Sequence, residues 1–331
     1  MASETLSFED HIAALKAIAE PTRLRALNLL QSGELSVGEL ATVLGQSQPR
    51  LSRHMKFLTA AGCVERTPEG AWAFYRLAPS GTGRALADAA LQTLPSDDPI
   101  LQRDAERLGA AKAERRSAAD QYFAQVADRW DRLRSQYYDE ADVEAAILDA
   151  VGPGPFGVLI DLGTGTGRML ELFADRCARL EGLDLSHQML TVARANLDRA
   201  KVTGASVRAG DVRSTSFDDG VADVVVIHQV LHFLDDPQAA LVEASRILRS
   251  DGALILTDYD LHAIETLRTD HQHRRLGFSP NDIRTWLTEA GFVASTDCAI
   301  AGKTGADTAR GLTVRVWRAQ KTFASKQGAA A

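Results

Sequence analysis

Cysteine is scarce in this 331-residue chain. Cys63, Cys177 and Cys298 stand far apart and are odd in number. They exclude a disulfide framework and a cysteine-rich metal centre, so no metal is expected, and they point to the reducing cytoplasm. No apolar run approaches the roughly 20 residues that cross a bilayer, so no membrane association is expected. Met1 to Phe8 lacks the basic start and apolar core of a signal peptide, and none is expected. An excess of positive charge is also missing, because the formal net charge is -7. Any nucleic-acid role must therefore rest on a local basic patch. The sequence shows no internal repeat and no long low-complexity tract.

What is present is ordinary globular material. Apolar residues make up 45% and charged residues 24%, enough for two cores in a chain of this length. Pro21 precedes a run in which Leu24, Leu27 and Leu30 share a helical face, and Gly33 ends it. Ser36 can cap a second helix, with Glu39 three residues on, the capping-box spacing. Gly45 closes that helix. A third follows at once, with Pro49 in its first turn and Leu51, Met55 and Leu58 on its apolar face. Two short helices, a tight turn and a polar, basic second helix predict a helix-turn-helix. Val64 to Arg66 and Trp72 to Arg76 then read as two strands around the turn Thr67-Pro68-Glu69-Gly70, a wing.

The exposed side of the third helix holds the residues DNA contact needs. Arg pairs with guanine bidentately, Gln pairs with adenine, and Ser and Lys hold phosphates. The DNA-binding candidates are Ser47, Gln48, Arg50, Ser52, Arg53, His54 and Lys56. A small helical protein-interaction domain is the plainer alternative. Ala17 to Arg23 and Leu51 to Leu58 resemble the ArsR/SmtB family of bacterial repressors. The resemblance implies a homodimer that sets the helix near Pro49 into the major groove of a palindromic operator. Metal-sensing members carry two cysteines where this chain has Ser36 and Gly38, so a thiolate metal sensor is not expected.

From Phe156 onward strands alternate with amphipathic helices, the mark of a parallel sheet covered on both faces. The strand Gly157 to Leu162 runs into Gly163-Thr164-Gly165-Thr166-Gly167. Glycines between a buried strand and a helix let a ligand approach the backbone. The spacing is G-x-G-x-G, and Asp161 lies just before it. That acid would repel a pyrophosphate but not a ligand with an amino group. The next strand ends at Asp184, which can accept from two ribose hydroxyls. Leu185 and Met189 follow, and Met189 can cover an adenine face. Asp211 can accept from an adenine amino group, while the Val212 N–H donates to the ring.

These motifs, with Leu183 to Leu190 and Gly210-Asp211, resemble the class I S-adenosylmethionine-dependent methyltransferases. The nearest likeness is to the ubiquinone and menaquinone biosynthesis type, over about Tyr122 to Arg318. The cofactor implied is S-adenosylmethionine, or S-adenosylhomocysteine as a bound effector, held by Asp161, Gly163, Gly165, Gly167, Asp184, Leu185, Met189, Asp211, Val212 and His228. Four histidines are candidate general bases: His228 and His232 after the fourth strand, and His271 and His273 further on. Each can equally shape a wall or bond the backbone. Tyr122, Phe123 and Trp130 either cover the pocket or pack a helix on the sheet. No Asn-Pro-Pro-Tyr motif is present, nor the cysteine set that arsenic methylation requires. A small-molecule methyl acceptor remains.

The expected fold is α/β: an N-terminal winged helix-turn-helix, then a Rossmann-like methyltransferase domain with a mostly parallel sheet. The expected boundaries are 1–80 for the DNA-binding domain, 81–140 for a helical linker with a dimerisation or lid role, 141–320 for the cofactor-binding domain and 321–331 for a flexible tail. The expected function is a DNA-binding transcriptional regulator with an S-adenosyl effector. The alternative is an active small-molecule methyltransferase with an autoregulatory DNA-binding domain. A silent dimerisation scaffold is a third.

Overall fold

In the computed structural model, the described residues are 8–69, 72–115, 138–265, 267, 274–302 and 312–321. Two compact units divide the chain. Met1–Asp120 and Arg194–Arg208 form the first, and Gln121–Ala193 and Ala209–Ala331 form the second. Tyr122, Phe123, Trp130, His271 and His273 lie outside the described residues.

The first unit opens with α1 (Phe8–Ile18) and α2 (Pro21–Leu30). Strand β1 (Leu35–Ser36) leads into α3 (Val37–Leu44), then α4 (Gln48–Ala60). The capping box forms as the spacing predicts. Ser36 Oγ accepts from the Glu39 N–H at 3.1 Å, and Glu39 Oε2 accepts from the Ser36 N–H at 2.7 Å. Gly45 ends α3 in the left-handed conformation, at φ 63, which a glycine adopts without steric penalty. Leu51, Met55 and Leu58 of α4 are fully buried against Leu27, Leu40 and Leu44. That one-sided burial leaves the polar face of α4 outward.

The wing is made of β2 (Val64–Glu69) and β3 (Trp72–Leu77), in a sheet of order β1-β3-β2. Here the structure corrects the expected turn at Thr67 to Gly70. Thr67, Pro68 and Glu69 belong to β2, with Pro68 opposite Ala73. Proline is tolerated because β2 is an edge strand and its missing N–H breaks no ladder. Helix α5 (Thr82–Gln92) follows, and residues 99–115 form α6. Arg25 of α2 forks onto Asp104 of α6 with two bonds of 2.6 Å, and Asp104 is buried.

The second unit starts with α7 (Glu140–Val151), β4 (Phe156–Leu162), α8 (Arg168–Leu172) and β5 (Cys177–Asp184). Helix α9 (His187–Arg199) and β6 (Ala205–Ala209) come next in the chain, with Arg194–Arg208 counted in the first unit, then β7 (Ala222–His228), α10 (Pro237–Ile247) and β8 (Leu248–Tyr259). The fold closes with α11 (Pro280–Glu289), β9 (Phe292–Ile300) and β10 (Val314–Lys321). The sheet order is β6-β5-β4-β7-β8-β10-β9. Strands β5, β4, β7 and β8 run parallel, and β10 is antiparallel to both β8 and β9. The run Ala222 to Ile227 is buried throughout, as a strand covered on both faces must be. The strand order reverses beside β4, so the ends of β4, β5 and β7 open a crevice there.

Candidate functional site

The crevice is a cavity of about 340 Å³. Asp161, Gly163, Gly165, Asp184, Leu185, Met189, Val212 and His228 line it, all in the second unit. Gly163, Gly165 and Gly167 have φ of 83, 53 and 84. Gly163 is also a packing necessity, since a Cβ there would lie 2.3 Å from Val230 Cγ2. Gly167 does not line the cavity. It packs against α9, where its Cβ would stand 3.2 Å from that of Ala193.

Asp184 staples two backbone segments. One carboxylate oxygen accepts from the Gly165 N–H at 2.9 Å and the other from the Ser186 N–H at 2.8 Å. The glycine turn and the start of α9 are thus fixed by one side chain that also faces the cavity. Asp161 is fully buried, and neither of its oxygens has a hydrogen-bond partner of good geometry. Burial pushes its carboxyl up to about 7; the nearby Thr164 hydroxyl offsets part of the rise, and Asp184 adds to it. A buried, under-satisfied acid at the mouth of a glycine turn invites a cationic donor.

Two expectations need correcting. Asp211 does not line the cavity. Arg213 grips its carboxylate bidentately, with the shortest contact 2.6 Å, and holds it below the usual carboxylate range. The guanidinium two residues on is simply the nearer partner. His232 is not a cavity wall either. It is buried, with Nδ1 2.8 Å from Asp258 Oδ1, between the rings of Phe233 and Tyr259. It pins the loop after β7 to the end of β8. Of the four candidate bases, only His228 is placed at the cavity among the described residues.

Other lining residues carried no sequence signal strong enough to single them out. Met169, Phe233 and Leu234 add apolar wall, and Ser186 and Thr166 add hydroxyls. Gln229 sits at φ 57, uncommon for a residue with a side chain. Its amide donates to the Tyr138 hydroxyl at 2.6 Å and accepts from the Tyr259 hydroxyl at 3.2 Å. Strain of this kind costs about 1–3 kcal/mol and gathers at functional sites.

A second surface lies on α4. Ser47, Gln48, Arg50, Arg53 and Lys56 are exposed, and Ser52 is half-buried. Among the described residues, Arg50, Arg53 and Lys56 have no ion-pair partner. His54 differs from the rest. It turns toward α2, with Nδ1 3.3 Å from Glu20 Oε2, and so braces the helix from within. Arg66 on β2 is exposed too and extends the basic surface onto the wing.

Residues 20–66 match the family described as bacterial regulatory protein, arsR family, and residues 160–256 match the methyltransferase domain family. The arsenical resistance operon repressor of Escherichia coli strain K12 is 43% identical over 75 residues, 22% of this chain and 64% of that protein. The demethylmenaquinone methyltransferase of Thermobifida fusca is 32% identical over 152 residues, 44% of this chain and 62% of that one. The arsenite methyltransferase of Aquipseudomonas alcaligenes is 30% identical over 203 residues, 52% of this chain and 56% of that one. The chain thus spans less than two thirds of the length of these curated relatives. Among the described residues no helix is long and apolar enough to cross a membrane.

Proposed function

We propose that this chain, which joins an arsR-family helix-turn-helix to a methyltransferase domain, is a DNA-binding transcriptional regulator whose effector is S-adenosylmethionine or S-adenosylhomocysteine. The observation that carries the reading is the pairing of two uncommitted surfaces in one chain. Arg50, Arg53 and Lys56 are presented outward with no ion-pair partner among the described residues. The ligand cavity is complete with its buried acid and its glycine turn.

The residues present fit the S-adenosyl group. The left-handed glycines let it approach the backbone. Asp184 would take ribose hydroxyls on lone pairs not already used by Gly165 and Ser186. Leu185, Met189 and Val212 would flank the adenine, and Asp161 would meet the amino group. On the DNA side, α4 would enter the major groove of a palindromic operator, with a second copy of the chain on the other half-site. The setting is the cytoplasm. For an effector to act, it must favour one of two states of the protein over the other, since equal affinity shifts nothing.

A second reading has its own support. His228 stands at the cavity, where a base for a small-molecule methyl acceptor would stand. When bound, S-adenosylmethionine supplies an activated methyl group, and this chain's part is to hold it, exclude water and take a proton.

The deciding experiment is a fluorescence-anisotropy titration of the protein on its own upstream DNA at fixed salt, without ligand and with each S-adenosyl compound. A shift in affinity with either compound supports the effector reading. An unchanged affinity with both, at saturating ligand, sinks it and leaves the methyltransferase reading.

A further inference from the structure

The contacts suited to the S-adenosyl group occupy one side of the cavity. Asp184, Leu185 and Met189 stand at and after the end of β5, and Asp161 lies near the end of β4. Strands β5 and β7 flank β4 on opposite sides, so the end of β7 makes a second wall across the glycine turn. His228, Gln229, Val230, Phe233 and Leu234 form that wall, all within the second unit.

Gln229 is held there at three points. Its backbone N–H donates to the Thr257 carbonyl at 2.7 Å. Its Nε2 donates to the Tyr138 hydroxyl at 2.6 Å, and its Oε1 accepts from the Tyr259 hydroxyl at 3.2 Å. Both tyrosines are buried, and neither lines the cavity. A loop that merely leaves β7 at φ 57 would take glycine or asparagine more readily than glutamine. The side chain therefore has a use that outweighs the strain. A primary amide offers two N–H donors and an oxygen with two lone pairs. The tyrosines take one of each. One N–H and one lone pair remain on a half-buried side chain of the cavity wall. That pair matches a hydroxyl, which accepts from the N–H and donates to the oxygen.

Charge on this wall narrows the match. Gln229, Val230, Phe233 and Leu234 carry none. Asp161 and Asp184 lie on the adenosyl side. Arg168 lines the cavity but is forked onto Glu144 at 2.6 and 2.7 Å and reaches Glu171 at 3.1 Å. A carboxylate or phosphate beside Gln229 would lose water without gaining a free cation, and an ammonium would gain no carboxylate.

We propose that Gln229, locked by Tyr138 and Tyr259, is the residue that orients the methyl acceptor, and that the acceptor is a neutral molecule presenting a hydroxyl. This inference rests on the methyltransferase reading and adds the acceptor's place and chemical class. The two tyrosines are positioning residues: they fix the amide before the acceptor arrives, so little order is lost on binding.

The test uses the full chain saturated with S-adenosylhomocysteine and probes that share one hydroxylated ring. These are para-ethylphenol, which is neutral, para-hydroxybenzoate, an anion, and tyramine, a cation. Binding is read without turnover, from nitrogen-labelled glutamine side chains in proton–nitrogen NMR spectra. The Gln229 signal is assigned by its loss in Gln229→Met. Para-ethylphenol should shift that signal and bind at least about tenfold more tightly than either charged probe. Tyr138→Phe and Tyr259→Phe each remove one lock. Each should weaken the neutral probe by about three- to tenfold and keep S-adenosylhomocysteine affinity within about twofold. A glutamine that only braces the two tyrosines would keep its signal unmoved by the probe. That result at millimolar probe, or a charged probe that binds as well as the neutral one, overturns the proposal and leaves the cofactor site standing. Folded tyrosine variants with unchanged probe affinity overturn the lock. The wild-type spectra decide the matter alone should a variant fail to fold. If S-adenosylhomocysteine itself does not bind, the methyltransferase reading falls as well.

Discussion

Replacing Asp161 with Asn tests the ligand site through its protons. The carboxyl is buried without a good hydrogen bond, and its pKa is raised from 3.8 to about 7. At about 1.36 kcal/mol per tenfold, that rise is a cost on the order of 4 kcal/mol for keeping the group ionised in the folded, ligand-free protein. The folded state holds its proton above the unfolded pKa. Stability therefore declines as pH rises from about 4 to 7 and is level beyond. A ligand ammonium beside Asp161 favours the ionised form, so binding at pH 6 expels a proton. Affinity for S-adenosylhomocysteine should then climb about fifteenfold from pH 5.5 to 7, and fall above about 8 as the ligand amine deprotonates. Calorimetry in two buffers of different ionisation enthalpy reads the released proton directly. Asp161→Asn should abolish the climb, bind more weakly at pH 7.5, and melt at a higher temperature than the parent at that pH. A parent affinity that does not change between pH 5.5 and 7 would refute the placement of the ligand amine beside Asp161.

Four further substitutions test the geometry. Arg53→Ala should weaken operator binding by about 1–3 kcal/mol if Arg53 reads a base, and Lys56→Ala should reduce the salt slope by about one if it holds a phosphate; anisotropy at several salt concentrations separates the two, and unchanged curves would remove α4 from the interface. Gly163→Ala should destabilise by about 2–4 kcal/mol, since a Cβ adds left-handed strain and meets Val230 Cγ2 at 2.3 Å; denaturant unfolding measures it, and a cost below about 1 kcal/mol would show that the loop yields freely. His232→Ala strips the buried Asp258 carboxylate of its imidazole partner and should cost about 3 kcal/mol; a melting temperature equal to the parent's would show that the pair does not hold the β7 loop.

What could be read in the sequence was what short stretches of chain decide for themselves. The capping box needs only Ser36 and Glu39, and the left-handed turn at Gly45 needs only a glycine. The crevice at the end of β4 is written in Asp161 to Gly167, because a buried strand, a glycine turn and a helix start follow one another without interruption. Partners supplied from afar were not legible. Asp258 stands 26 residues from His232, and Glu20 stands 34 residues from His54, so neither histidine advertises that it is already engaged. Asp211 is the opposite case. Its captor, Arg213, is close by, but nothing in the spacing says which of two possible partners a loop carboxylate takes. Gln229 gives no sign at all, because the Tyr138 and Tyr259 hydroxyls that its amide bonds stand 91 and 30 residues away.

The fork of Arg25 onto Asp104 decides where this protein can be cut. A fragment ending near residue 80 would contain every residue of the helix-turn-helix and wing, yet it would discard the carboxylate that neutralises Arg25. It would also uncover Leu24, which lines one groove with Leu94, Ile100 and Leu101. Such a piece would carry an orphaned cation beside bare hydrocarbon, a poor prospect for expression and a misleading reagent for DNA binding. Any dissection that hopes to keep the helix-turn-helix half intact has to place its scissors beyond α6, so the minimal DNA-binding fragment of this protein is about half again as long as its recognisable motif.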